Sequence, residues 1–135
     1  MLRRRHLGRV PFAEANDFQR ALLNAKDDYI LLFEHPPTFT KGVRTEEKNI
    51  LSDLTLTGAA VVDADRGGDV TYHAPGQVVA WPIVSVPDDP SSGKAHNAIL
   101  EDAVIATVKS FDASGKLGLV AVSYTHLTLP TNREV

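Results

Sequence analysis

The feature that most limits what this chain can fold into is a cluster of short apolar runs. Each is cut off by proline or glycine, and all lie between two amphipathic helical segments. YILLFEH (29–35) is nearly continuous in apolar residues, which predicts a buried strand. Pro36-Pro37 stops it, because proline has no N–H to donate to a ladder. AAVVDAD (59–65) and DVTYH (69–73) read as two further strands on either side of Gly67-Gly68, the second of alternating type. QVVAWPIVSV (77–86) carries the strongest strand signal, with Pro82 placing it at an edge or a bulge. Between these runs, TFTKG (38–42) reads as a Thr-rich turn, 43–57 as polar loop, Pro75-Gly76 as a turn and PDDPSSGK (87–94) as a loop.

Two helical patterns flank the strands. In PFAEANDFQRALLNAK (11–26) the apolar positions Phe12, Ala15, Phe18, Leu22 and Ala25 follow in steps of three and four, with Pro11 in the first turn and Asp27-Asp28 breaking the pattern. From Ala95 to Phe111 the same spacing recurs through Ile99, Leu100, Ala103, Val104, Val108 and Phe111. Strands grouped between helices, rather than alternating regularly with them, predict an α+β fold. There is no internal repeat.

The chain has 135 residues, the size of one domain. A chain this long can bury roughly two thirds of its unfolded surface. With 14 Lys+Arg against 17 Asp+Glu the net charge is −3, so there is no electrostatic case for nucleic acid. Arg3, Arg4 and Arg5 form one short basic cluster, which reads as a solvated N-terminus. No apolar run approaches the ~18 residues of a membrane span, and no apolar core of a signal peptide follows the N-terminal charge. A cytoplasmic protein is expected. There is no cysteine, which rules out a disulfide scaffold, a thiolate metal site and a cysteine nucleophile within these 135 residues. His6, His35, His73, His96 and His126 show no metal-ligand spacing, and no dinucleotide or phosphate loop is present, so neither metal nor cofactor is expected.

One stretch carries candidate chemistry: RGGDVTYHAPGQ (66–77). Paired glycines let backbone N–H groups come close to a ligand. Arg66 can hold a carboxylate or phosphate through its fork. His73 can serve as a polar anchor or proton carrier, and Pro75-Gly76 can aim Gln77 inward. The pattern alone fits either a pocket wall or a plain hairpin turn. EHPPTFTKG (34–42) likewise fits either a strand end with its turn or a loop whose hydroxyls line a site.

DRGGDVTYHAPGQVVAWPI (65–83) resembles the signature of the lipoyl(octanoyl) transferases, RGG-x-x-T-[FY]-H-G-P-G-Q. EHPPTFTKG resembles the upstream EHPPV[FY]T-x-G element of the same enzymes, and the likeness runs from about Leu7 to about Phe111. The resemblance implies the α+β catalytic fold shared with biotin and lipoate ligases, here C-terminally truncated. It implies transfer of an octanoyl group from octanoyl-acyl carrier protein to a lysine of lipoyl domains, those of the 2-oxoacid dehydrogenases and of the glycine cleavage H protein. In the family this proceeds through an acyl-thioester on a cysteine whose pKa a lysine lowers. It further implies that Arg66, Gly67, Gly68, Asp69, Val70, Thr71, Tyr72 and His73 line the acyl site, with His73 orienting the acyl carbonyl.

The chain departs from the family pattern in two places. Ala74 stands where the family has glycine. At a position needing positive φ, alanine costs roughly 1 kcal/mol. The family's cysteine and lysine are also missing from matching positions, since Lys109 and Lys116 do not stand in the lysine motif. No catalytic residue is therefore assigned, and the chain as it stands is expected to be inactive. VSYTHLTLPTNREV (122–135) resembles the translation of a sequencing-adapter DNA, one frame of which spells Val122 through Thr131. The expected organisation is thus a partial catalytic domain over 1–121 and an adapter-derived tail over 122–135. Two alternatives remain: an ATP-dependent lipoate- or biotin-protein ligase relative, and a non-catalytic module that binds acyl carrier protein or a lipoyl domain.

Overall fold

The arginine-rich start of the chain is a strand. β1 (Leu2–Arg9) and β2 (Asp28–Glu34) pair in parallel, from Leu2↔Asp28 to Arg9↔Glu34, with a bulge between His6 and Gly8. A parallel pair needs a crossover, and α1 (Phe12–Leu22) supplies it. Arg3, Arg4 and Arg5 are solvated, as read, but they stand on a paired strand. Its arginines are exposed strand side chains with partners on and beside β2. Arg3 bonds the Asp27 carboxylate, the Arg5 guanidinium lies 5.9 Å from the Tyr29 ring centroid, and Arg9 pairs with Glu34 at 3.4 Å.

The computed structural model describes residues 1–111 and the backbone of 120–123 and 126–128. It divides into two units, Met1–Ser85 and Val86–Val135.

In the first unit β2 is the central strand of one sheet. β1 lies on one side, and β6 (Val79–Ile83) is antiparallel on the other. Among the described residues β6 lies at the edge of this sheet, one of the two places Pro82 predicts. Val10, Ala15, Leu31 and Phe33 form the core, with Leu7, Leu22, Val79, Trp81 and Ile83 packed against them. Trp81 meets Phe33 edge-on at 5.0 Å and Phe12 at 5.9 Å, the geometry aromatic pairs prefer. On α1, Phe12, Ala15 and Leu22 turn inward as expected, but Phe18 is 42% exposed. At about 100° per residue, Gln19 rather than Phe18 falls on the covered stripe and is half-buried.

The second sheet of this unit has β3 (Thr38–Lys41) at its centre, β4 (Ala60–Asp63) parallel to it and β5 (Val70–His73) antiparallel. Two expectations are corrected here. TFTK is a strand, not a turn. Its inward positions are Thr38 and Thr40, both fully buried, so a polar residue type occupies the places where apolar residues would have marked a strand. The Thr38 hydroxyl is satisfied by donating to Pro36 O at 2.7 Å. Gly67-Gly68 is also not a hairpin turn. β4 and β5 do not pair with each other, and each lies against β3, so the intervening loop crosses the end of that strand.

The second unit holds α2 (Ser92–Phe111) and an antiparallel pair, β7 (Val120–Ser123) with β8 (His126–Thr128). α2 begins at Ser92 rather than Ala95. The Asp89 carboxylate accepts from the Ser91 N–H and hydroxyl at 2.8 and 2.9 Å, which draws SSGK into the first turn. Apart from the backbone of β8 and the end of β7, the adapter-like tail lies outside the described residues. Among the described residues no helix is long and apolar enough to cross a membrane.

Candidate functional site

The two elements singled out in the sequence meet at Thr40. Arg66 donates through Nη2 to Thr40 O at 2.9 Å and Thr40 Oγ1 at 2.6 Å, and through Nη1 to Gly67 O at 2.9 Å and Asp69 O at 3.0 Å. All four terminal N–H groups of the guanidinium are thus engaged within β3 and its own loop. In this state Arg66 braces the loop, and its fork is not open to a carboxylate. Burial lowers its pKa, against the pull of Asp69, from a value high enough that it keeps its charge.

Carbonyls of the loop are also held from the β3 side, Asp69 O for a second time. Val43 N–H donates to Arg66 O at 3.0 Å, Arg44 N–H to Gly68 O at 3.1 Å and Gly42 N–H to Asp69 O at 3.3 Å. The approach is so close that a Cβ at Gly42 would lie 2.4 Å from Gly68 O. Gly68 takes φ 87°, which only glycine adopts readily. With the carbonyls tied inward, the N–H groups of Gly67 and Gly68 carry no bond among the described residues. A Cβ at Gly67 would meet nothing within 4 Å, so this side of the loop is open to a ligand.

Asp69 closes the loop. Its carboxylate accepts from Val70 N–H at 2.8 Å and from the Asn49 side-chain amide. These bonds, the Val70 N–H first, hold its pKa below the ordinary carboxylate value.

β5 then divides the remaining predicted residues between two faces. Thr38↔His73 and Thr40↔Thr71 pair in register, so Thr71 and His73 share the inner face with the buried threonines. Val70 and Tyr72 take the other face, where Tyr72 packs on Phe39 at 4.7 Å between ring centroids. His73 Nδ1 lies 3.0 Å from Gln77 Oε1, and Nε2 lies 3.4 Å from Thr40 Oγ1. Gln77 is exposed, so Pro75-Gly76 aims it at His73 rather than into the interior. The left-handed residue of that turn is Gly76, at φ 92°, and no described non-glycine residue has positive φ. Ala74 therefore carries no backbone strain.

Sequence reasoning offered the hydroxyls of EHPPTFTKG as one of two readings without singling out Thr40, and it missed His35 as a functional position. His35 is 1% exposed and donates from Nδ1 to Val10 O at 2.7 Å. Its ring stands edge-on to Phe33 at 5.0 Å and to His73 at 5.4 Å, linking the core to the site. The available signal was its place before Pro36-Pro37 in EHPPTFTKG. A cleft of about 640 Å³ opens beside α1, lined by Phe12, Trp81, Leu23, Ala64 and Arg66 among others. Among the described residues no three His, Asp or Glu side chains are grouped to hold a metal.

Residues 11–118 match the family model described as the lipoyl protein ligase A/B catalytic domain. The chain is 37% identical over 119 residues to the octanoyltransferase of Chloroflexus aggregans, covering 82% of this chain and 54% of that protein. It is 44% identical over 108 residues to the octanoyltransferase of Streptomyces coelicolor, covering 76% and 39%. The chain thus spans about half the length of the curated relatives it matches. The crystal structure of P. falciparum LipL1 in complex with lipoate shares the fold, with TM-score 0.59 at 14% identity over 95% of this chain and 41% of that one. The sheets, the braced RGG loop and a family match running through most of the sequence lead to one conclusion: this chain belongs to the lipoyl protein ligase A/B catalytic domain family.

Proposed function

We propose that this chain supplies the acyl-binding part of an octanoyl transferase acting in protein lipoylation. One observation carries the reading: EHPPTFTKG and RGGDVTYHAPGQ, far apart in sequence, are bonded into one site through Arg66 and Thr40. The name octanoyltransferase shared by relatives at 36–44% identity favours it over an ATP-dependent ligase. In this reading the acyl chain lies in the cleft beside Phe12 and Trp81. The amides of Gly67 and Gly68 approach the carbonyl end, and His73 orients it. The donor is octanoyl-acyl carrier protein and the acceptor a lysine of a lipoyl domain, both in the cytoplasm.

The acyl-thioester step needs a thiolate nucleophile, and these 135 residues contain no cysteine. The chain therefore binds and orients the acyl group without forming the thioester. In the intact gene the native frame continues past Ala121 to the lysine and cysteine, in place of the adapter-like residues 122–135. Mass spectrometry of a lipoyl domain incubated with octanoyl-acyl carrier protein tests this. This chain should leave the domain unmodified, and the protein from the intact gene should octanoylate it. Octanoylation by the cysteine-free chain sinks the mechanism. Failure by the intact protein sinks the function.

A further inference from the structure

We propose that the outer edge of β1 docks an extended acidic segment of a partner protein, which joins the first sheet as an added strand with carboxylates opposite Arg3 and Arg5. The proposal goes beyond the acyl-transfer reading and does not depend on it.

The first observation is the edge. The sheet runs β1-β2-β6, so among the described residues β1 is paired on one side only. It is eight residues long, and none of them is buried. Such an edge presents a row of N–H and C=O groups to which another chain can add.

The second observation is the charge. β1 carries four arginines and no carboxylate, in a chain whose net charge is −3. Asp27 and Glu34 partner Arg3 and Arg9, which leaves Arg4 and Arg5 without a carboxylate among the described residues. A second copy of β1 would bring four more arginines to the same place, and like charges on adjacent strands repel. An acidic strand removes that repulsion.

The third observation is order. Charged side chains on an edge can merely ward off other strands, and loose ones suffice for that. Here two are held. Arg3 is bonded to Asp27 through Nε, so its two Nη groups stay available. The Arg5 guanidinium lies 5.9 Å from the Tyr29 ring centroid and reaches the Arg4 carbonyl from Nη1 at 3.4 Å. Groups already held lose less freedom when a ligand arrives. Arg3 and Arg5 share one face of the strand, roughly 6.6 Å apart, which matches carboxylates at every second position of an added strand.

Fluorescence anisotropy with labelled eight-residue peptides and the 135-residue chain tests this. A peptide alternating Glu and Thr should bind, more weakly as salt rises, and should slow hydrogen exchange at β1 amides. The same peptide with Lys for Glu should not bind. With Pro for Thr, which keeps the charge and removes N–H donors, binding should fall at least about tenfold. Arg5→Gln should weaken binding several-fold, and Lys48→Gln, away from β1, should not. No binding of the Glu peptide, or equal binding of the Lys or Pro form, overturns the proposal. So does dimerisation of the chain that protects β1 amides, which gives the edge to a second copy. So does protection of those amides in the peptide-free protein from the intact gene, which gives it to the rest of that protein.

Discussion

Gly42 and Gly68 stand so close that no side-chain carbon fits between them: a Cβ on Gly42 would lie 2.4 Å from the Gly68 carbonyl oxygen and 2.7 Å from Arg66 Nη1. Both neighbours are pinned, the carbonyl by Arg44 N–H and the guanidinium by Gly67 O and Asp69 O. Gly42→Ala should therefore push the RGG loop off β3. The expected loss is about 1–3 kcal/mol, as for overpacking in a tight interior, read as a lower urea midpoint.

Arg66→Lys should fail as a replacement. A single ammonium cannot reach the four acceptors that the guanidinium fork serves, and the β3 carbonyl is left without its partner. A loss of roughly 1–3 kcal/mol is expected, with faster hydrogen exchange at Val43 and Arg44, the amides bonded to this loop. Unchanged exchange would show that the brace contributes nothing.

Two phenylalanines of the first unit, Phe33 and Phe18, should separate cleanly. Phe33 is 3% exposed and meets both Trp81 and His35, so Phe33→Ala should cost about 3–5 kcal/mol. Phe18 is 42% exposed, and Phe18→Ala should stay within about 0.5 kcal/mol. Paired urea melts check the contrast.

Asp69 gives the loop an acid limit. The Val70 N–H and the Asn49 amide depress its folded pKa below the ordinary 3.8, so the unfolded chain takes up the proton first as pH falls. The stabilisation is complete above 3.8 and disappears as pH drops through the lower folded value. Urea midpoints measured from about pH 5 to about pH 2 should fall less steeply in Asp69→Asn than in the unmodified chain. Parallel curves would remove Asp69 from the acid response.

What the sequence revealed followed from apolar continuity and punctuation. β2 and β6 were legible because their interiors are apolar and prolines mark their limits, and α1 because three of its periodic residues do face the sheet. β1 was hidden because its arginines look like a solvated terminus until Asp27, Tyr29 and Glu34 are placed beside them. β3 was hidden because Thr38 and Thr40 are buried with their hydroxyls bonded, and pattern reading takes inward positions to be apolar. The two signature elements could be found by resemblance. That His35 and His73 bring their rings together could not, since sequence spacing carries no information on side-chain contact between separate elements.

The path of the chain between β2 and β6 has an evolutionary consequence. These two strands are direct neighbours, yet everything from Pro36 to Val78, including β3, β4 and β5, lies between them in sequence. The second sheet is an excursion whose ends are already fastened. Within it, the segment from Val43 to Ala59 joins β3 to β4 by two short 3₁₀ turns, Glu47–Asn49 and Leu54–Thr57, with exposed Leu51 and Leu56. Closing a longer loop adds only about 0.6 kcal/mol per doubling of length. Beyond Asn49, the last residue of this segment bonded to the glycine loop, this is where insertions and deletions can accumulate among relatives, leaving the β3 end and that loop undisturbed.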